Sequence, residues 1–433
     1  MRHASTRYFA GLFAILAATT AIVPVAEAQR ATPAAVTVVR PETVGLSTER
    51  LRRTMAALDA EVKAGNISGA LLLIGRKGRI AHFEGVGQLD PEAKTPMSRD
   101  GIFRIYSMTK PITSVAAMML VEEGIVSLAD PVAKYIPEFA GVKVGVEAPG
   151  ADGKPGLTLV APRRPMTVQD LLRHTSGLTY GFFGSGLVKK AYQERADIFG
   201  KDLANADFAK ALATLPLMHQ PGSNWEYSHS TDVLGRVVEV ASGKTLYEFM
   251  KERILDPLGM RDTSFYVADK TKFPRIAEPF KADRTIGVNA EFNDPRIAIK
   301  YESGGGGMVS TATDYARFLQ MLLSGGTLDG RRYLSPATIA YMTSDHVAGI
   351  GLGSAYLPGD GYGFGLGFQV RRENGQASVP GTAGDYAWGG AGGTAFWVDP
   401  KQDMYVVLMM QAPKHRGAIR AKLRGLVYST IVK

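Results

Sequence analysis

Strand-like runs occupy both ends of this chain and helical patterns fill the interval between them, which restricts the folds open to it. Near the start, 70–75 and 79–86 are strand-like runs joined by Arg76-Lys77-Gly78, a turn with glycine where positive φ is needed. They predict a hairpin. Near the other end, 362–370, 385–388, 394–398 and 404–410 are strand-like, with Pro400 in the tight connection before the last. Two amphipathic helices flank these runs. Leu51, Met55, Leu58 and Val62 recur at helical spacing after a Ser47 cap, and Ile419, Leu423, Leu426 and Val427 form the apolar stripe of a terminal helix. The expected fold class is α+β: an antiparallel sheet built from both ends and flanked by the terminal helices, plus an all-helical lobe between. Helical patterns over 111–123, 168–173, 207–215, 232–241, 246–254 and 313–323 supply that lobe, and the Gly- and Pro-rich stretch 141–164 reads as an inserted loop or small hairpin. No repeat or clean linker interrupts the pattern. A single discontinuous domain over 29–433 is expected, with a sheet lobe from about 44–105 and 345–433 and a helical lobe from about 106–344.

The first residues carry Arg2 and Arg7, then an apolar run over 9–25, and end in Ala26-Glu27-Ala28, a small-x-small cleavage pattern. The run is broken by Thr19, Thr20 and Pro24 and is short for a bilayer span. Residues 1–28 therefore read as a signal peptide, which implies a periplasmic or secreted protein with no stable membrane insertion after cleavage. The rest, with 45% of the chain hydrophobic and 21% charged, can bury a large core. Zero cysteines exclude disulfides, a thiol nucleophile and cysteine-ligated metal. The net charge of +9 is dispersed, and the pairs Arg163-Arg164, Arg331-Arg332 and Arg371-Arg372 read as solvated surface, so no nucleic-acid partner is expected. Neither Gly-x-Ser-x-Gly, nor His-Glu-x-x-His, nor a phosphate-binding Gly-x-x-x-x-Gly-Lys-Ser/Thr occurs. No metal and no cofactor are expected.

Ser107 is the candidate nucleophile. Phe103-Arg104-Ile105-Tyr106 lead into Ser107-Met108-Thr109-Lys110, and the helix beginning at Pro111 places the serine at a helix N-terminus. Lys110 lies one turn on, on the same face. A serine hydroxyl is a poor nucleophile near neutral pH until a base takes its proton, which a buried amine can do. The helix N-terminus adds partial positive charge where an oxyanion grows. Taken alone, the tetrad fits a capping serine and a surface lysine equally well, so its partners decide.

Those partners come in order: Ser107-Met108-Thr109-Lys110-Pro111, His174-Thr175-Ser176-Gly177-Leu178, Pro221-Gly222 with Trp225-x-Tyr227-Ser228, Pro257-Leu258-Gly259-Met260, Gly304-Gly305-Gly306-Gly307-Met308 with Ser310-Thr311, and Trp388-Gly389-Gly390. Over about 44–411 the set resembles the class C β-lactamase-like serine hydrolases, and in detail their family VIII carboxylesterases. The resemblance implies a β-lactamase/penicillin-binding-protein-like fold with the site between the lobes. It matches Tyr227 to the tyrosine of the family's Tyr-x-Asn motif, so either Tyr227 or Lys110 can serve as base. His229 stands where the lactamases have asparagine, which would give the rate a new pH dependence. His174 belongs to a turn that is more often architectural. The amides of Ser107 and Ala391 are implied as the two oxyanion donors.

The third motif bears on the substrate. Where the lactamases carry Lys-Thr-Gly, whose lysine helps hold a carboxylate, this chain has Trp388-Gly389-Gly390 and lacks that handle. The two glycines leave the strand edge bare for a substrate, with Trp388, Gly389, Gly390, His229 and Tyr180 as its binding residues. Tyr180, Phe182, Phe183 and Tyr192 suggest an apolar pocket wall. The expected activity is hydrolysis of a small-molecule ester through a Ser107 acyl-enzyme. A β-lactamase or D-alanyl-D-alanine carboxypeptidase-type peptidase is the first alternative, and an acyltransferase or a non-catalytic penicillin-binding homologue the next.

Overall fold

A computed structural model describes Met1 and residues 37–149, 153, 155–195, 202–287, 290–352 and 356–433. Apart from Met1, the signal peptide expected over 1–28 lies outside the described residues. Eight strands form the main sheet. From the first end come β1 (Gly69–Arg76), β2 (Arg79–Asp90) and β3 (Thr95–Pro96); from the second, β4 (Tyr362–Phe364), β5 (Gln369–Arg371), β6 (Tyr386–Gly389), β7 (Ala395–Asp399) and β8 (Met404–Met409). Their order is β4-β5-β6-β7-β8-β1-β2-β3, with neighbours antiparallel throughout. The two ends of the chain thus meet in mid-sheet, where Leu72 pairs with Leu408 and Leu73 with Val407.

Both faces of this central pair are covered, which is why β1 and β8 are apolar at successive positions instead of alternating. Leu72, Ile74, Val406 and Leu408 point to one face. There they pack with Leu51, Met55 and Leu58 of α1 (Thr48–Lys63) and with the C-terminal helix through Ile419, Leu423 and Val427. Ser47 caps α1, its hydroxyl accepting from Arg50 N at 3.3 Å. Leu71, Leu73, Val407 and Met409 point to the other face and join the larger core. That core includes Ile112 and Val115 of α2 (Thr109–Glu122), Val233 and Val237 of α3 (Ser230–Ser242), and Phe318 and Leu319 of α4 (Ala312–Leu323). The terminal helix, α5 (Arg416–Ser429), ends beside the start of α1: Ser47 N donates to Thr430 O at 2.9 Å. Val36–Lys433 form one compact unit. No helix among the described residues is long and apolar enough to cross a membrane.

Three expectations change. The single strand expected over 362–370 is a tight hairpin, β4 turning back into β5: Gly365 N donates to Phe368 O at 2.8 Å, and Gly367 adopts φ +101°, which favours glycine. Helix α2 starts at Thr109, so Pro111 is its third residue, in the first turn, where its missing N–H has no helical acceptor to lose. Arg371 is not solvated surface. Its side chain is fully buried and donates through Nε to Asp385 at 2.7 Å, and Arg164 likewise pairs with the buried Asp170 at 2.6 Å. The insertion over 141–164 contains a hairpin, Val144–Pro149 against Pro155–Val160.

Candidate active site

The backbone leading to Ser107 is held before it turns. Phe103–Arg104 pairs with Val309–Ser310, and Ile105 N donates to Met308 O at 3.0 Å. Tyr106 then takes φ +43°, an unfavourable conformation for a residue with a side chain, and the 3-10 turn Tyr106–Met108 runs into α2. Met108 O accepts from Tyr315 Oη at 2.9 Å, and Met308 N donates to Thr109 Oγ1 at 3.1 Å. These contacts hold the reversal that presents Ser107 to a cavity of about 860 Å³.

Three of the expected site residues meet there. Tyr227 Oη donates to Ser107 Oγ at 2.7 Å, and Lys110 Nζ lies 3.4 Å from the same oxygen. Lys110 is 1% exposed; its ammonium donates to Gly305 O at 2.6 Å and to Tyr180 Oη at 3.2 Å, and sits 4.6 Å from the centre of the Tyr227 ring. Tyr180, expected on the pocket wall, therefore also touches the amine. Burial first, then the charge of Asp232 and the neighbouring Tyr227, keep its phenol well above the ordinary range, so it stays neutral. Trp388 reaches the same cluster, its indole N–H donating to Tyr227 Oη at 3.3 Å.

His229 lines the cavity, with its ring 4.2 Å from that of Tyr180 and Nδ1 3.0 Å from Asp232 Oδ2. Burial pushes its pKa below 6.5 despite the nearby carboxylate, and does so more strongly for His174, which lies against Tyr227 with Nδ1 3.3 Å from Ser228 Oγ. Asp232 was not anticipated. Its Oδ1 accepts from Gly305 N at 3.0 Å and Ser303 Oγ at 2.5 Å, so it holds the residue whose carbonyl, in the next peptide, receives Lys110. Burial raises its pKa, but the hydrogen bond and charge of His229, the charge of Lys110 and the Ser303 hydroxyl outweigh that and hold it at about 2. The carboxylate stays ionised. Gly305 has to be glycine here, since a Cβ would fall 2.8 Å from the carboxylate.

The far wall is the end of β6. Gly389, Gly390 and Ala391 line the cavity with Ser107, but the strand edge is less bare than expected. A Cβ on Gly390 would come within 2.3 Å of Ile105 O, and one on Gly389 within 2.6 Å of the Arg420 guanidinium carbon. Arg416 and Arg420, both from α5, complete that side. Sequence reasoning missed them, although their spacing of four on an otherwise apolar-striped helix was visible.

A second buried network stands behind the tyrosines. Glu226, next to Tyr227, forms an ion pair with Lys189 and accepts from Thr179 Oγ1, next to Tyr180, at 2.6 Å. It thereby ties both phenols to the helix Leu187–Glu194. Burial raises the Glu226 pKa, but hydrogen bonds from His219, Lys189 and Thr179 bring it from 4.5 down to about 2. A carboxylate depressed in this way stabilises the fold fully above pH 4.5, and that contribution is lost as pH falls toward 2. Thermal melts of Glu226→Gln should show a stability deficit at neutral pH that shrinks below pH 4.5 and closes near pH 2. A gap constant with pH would contradict it.

With the fold and these contacts in view, the class is plain: a serine hydrolase-type enzyme of β-lactamase/penicillin-binding-protein-like fold. The Beta-lactamase family model matches residues 51–429, and the chain belongs to that family. It is 39% identical over 358 residues to Protein Rv1367c of Mycobacterium tuberculosis, covering 80% of this chain and 86% of that one. It is 33% identical over 399 residues to Esterase EstB of Burkholderia gladioli, covering 87% and 95%. Among solved structures it is similar to EstCE1, a hydrolase with promiscuous acyltransferase activity, with TM-score 0.73, 29% identity, and coverage of 88% of this chain and 99% of that one.

Proposed function

We propose that this chain is a serine carboxylesterase acting through an acyl-enzyme on Ser107. One observation carries the reading: Ser107 Oγ lies 2.7 Å from Tyr227 Oη and 3.4 Å from Lys110 Nζ, in a cavity walled by Trp388 where a carboxylate-binding lysine would favour β-lactams. The similarity to Esterase EstB supports it. Ser107 Oγ attacks the ester carbonyl, and its proton passes through the Tyr227 and Lys110 pair to the departing alkoxide. The carbonyl oxygen takes the negative charge and is met by the N–H groups of Ser107 and Ala391. Water then repeats the sequence on the acyl-serine, releasing the acid and restoring the hydroxyl. The apolar run and Ala26-Glu27-Ala28 pattern within 1–28, read as a signal peptide, support a periplasmic or secreted location for this chemistry.

Side-by-side assay of a p-nitrophenyl ester and a chromogenic cephalosporin tests the reading: rapid turnover of the ester is expected, and turnover of the cephalosporin alone would overturn it. Tyr227→Phe keeps the ring packing and removes the group nearest Ser107 Oγ, and should lower kcat by about 10²- to 10⁴-fold. Ordinary activity in that variant would give the proton transfer to Lys110. The acyltransferase activity in the description of EstCE1 favours a second reading, in which an alcohol replaces water as acceptor. Adding an alcohol to the ester assay and measuring the new ester against free acid separates the two.

A further inference from the structure

Arg420 has hydrogen bonds that hydrolysis as described above does not use. It lies on α5, far in sequence from Ser107, yet its Nη2 donates to Gly390 O and, at 2.6 Å, to Thr394 O. Gly393 N adds a third restraint, donating to Gly390 O at 3.1 Å. In a planar trans peptide the carbonyl and the N–H point in opposite directions. The carbonyl of the Gly390–Ala391 peptide is therefore anchored toward α5, and the N–H of Ala391 on its other side faces away from α5. Ala391 lines the cavity beside Ser107, and its N–H has no backbone acceptor among the described residues.

The packing around this peptide leaves little freedom. Gly389 accommodates the guanidinium, and Gly390 accommodates Ile105 O and Thr394 Oγ1, which a Cβ would meet at 2.3 and 2.4 Å. The turn is thus wedged between the residue two before Ser107 and the C-terminal helix. Arg420 is also a cation without a counter-ion: no carboxylate lies within 4.0 Å of it among the described residues, and its Nε is buried without a partner. Burial, reinforced by Arg416, brings its pKa down to about 9, as expected for a charge left uncompensated in a low-dielectric site. A charged donor on an amide carbonyl polarises the peptide and makes its N–H a stronger donor. An oxyanion forming on the opposite side of that peptide would offset the uncompensated charge.

We propose that Arg420 is a positioning residue of the oxyanion hole, fixing and polarising the Gly390–Ala391 peptide so that Ala391 N–H meets the oxyanion formed when Ser107 is acylated. It acts through the peptide and need not touch the substrate. The proposal rests on the Ser107 acyl-enzyme reading. It requires no particular ester, so it can be tested with reagents that use the same tetrahedral geometry.

Arg420→Met, Arg420→Lys and Arg420→Gln in the full chain provide the test. The readouts are the rate of Ser107 labelling by a fluorophosphonate, kcat and KM for a p-nitrophenyl ester, and affinity for a boronic acid that forms a tetrahedral anion on the serine. Loss of one oxyanion donor costs about 10²- to 10³-fold, and loss of its anchor should cost less. For Arg420→Met we expect labelling and kcat to fall by about 10- to 100-fold, KM to stay within about twofold, and boronate affinity to fall in step with kcat. Arg420→Lys should recover part of each. A merely structural role would lower the active fraction and leave boronate affinity unchanged, and that result would overturn the proposal, as would labelling of Arg420→Met at the wild-type rate. Should the methionine variant not fold, Arg420→Gln keeps a donor without the charge; a loss of about tenfold supports the proposal and wild-type rates overturn it. A wild-type chain that labels nowhere would instead remove the Ser107 reading, so the two failures are distinguishable.

Discussion

Replacing Ser107 by alanine is expected to lower ester turnover by about 10⁴-fold or more while shifting the melting temperature by less than about 2 °C. The activity loss follows because the nucleophilic oxygen is gone and Lys110 and Tyr227 have no hydroxyl to deprotonate. The small stability effect follows from what remains. Lys110 keeps its bonds to Gly305 O and Tyr180 Oη, Tyr227 keeps Trp388, and the Tyr106 reversal is held by backbone contacts that do not involve the serine side chain. Activity with a p-nitrophenyl ester and thermal melting measured on one preparation check both halves. Substantial turnover by the variant would mean another nucleophile.

Asp385→Ala should have the largest effect on stability, about 3–5 kcal/mol. Asp385 is fully buried, and its Oδ2 accepts from Arg371 Nε at 2.7 Å and also from Arg424. Arg371 continues to Tyr362 Oη at 2.6 Å, and Arg424 Nε to Pro380 O at 2.9 Å. One carboxylate thus joins β4, β5, the segment before β6 and helix α5. Removing it strands two guanidinium groups in the interior, whereas Asp385→Asn keeps an acceptor and should lose less. Denaturant unfolding of both variants provides the check, and a midpoint equal to wild type for Asp385→Ala would show that the pair contributes nothing net.

What the sequence revealed depended on whether a signal was local. The apolar runs of β1, β7 and β8 announce themselves, because strands covered on both faces have few polar positions to blur them. Ser107, Lys110 and Tyr227 were recognisable because each lies in a short motif, and the fold brings them within hydrogen-bond reach. Asp232 and Arg420 lie in no such motif. Asp232 is one acid in the first turn of a helix, and its partners Ser303 and Gly305 are distant in sequence. Arg371 was misread for a related reason: beside Arg372 it looked like a surface pair, and only the return of the next strand brings Asp385 to it. The β4–β5 hairpin was lost because Gly363, Gly365 and Gly367 alternate with large residues, and one continuous strand produces the same pattern.

The junction of β1 with β8 also determines when this protein can exist in folded form. Leu71 pairs with Met409, so the centre of the sheet cannot close until β8 has been synthesised, long after β1. A nascent chain on the ribosome holds β1 and β2 as an isolated hairpin, which is marginal in water. Closing so long a loop makes folding slow and leaves apolar edges open in the interval. Such a chain stays available to chaperones until β8 emerges, and removing the residues from Thr430 onward, which pair with Leu46 and Ser47, should lower the yield of folded protein.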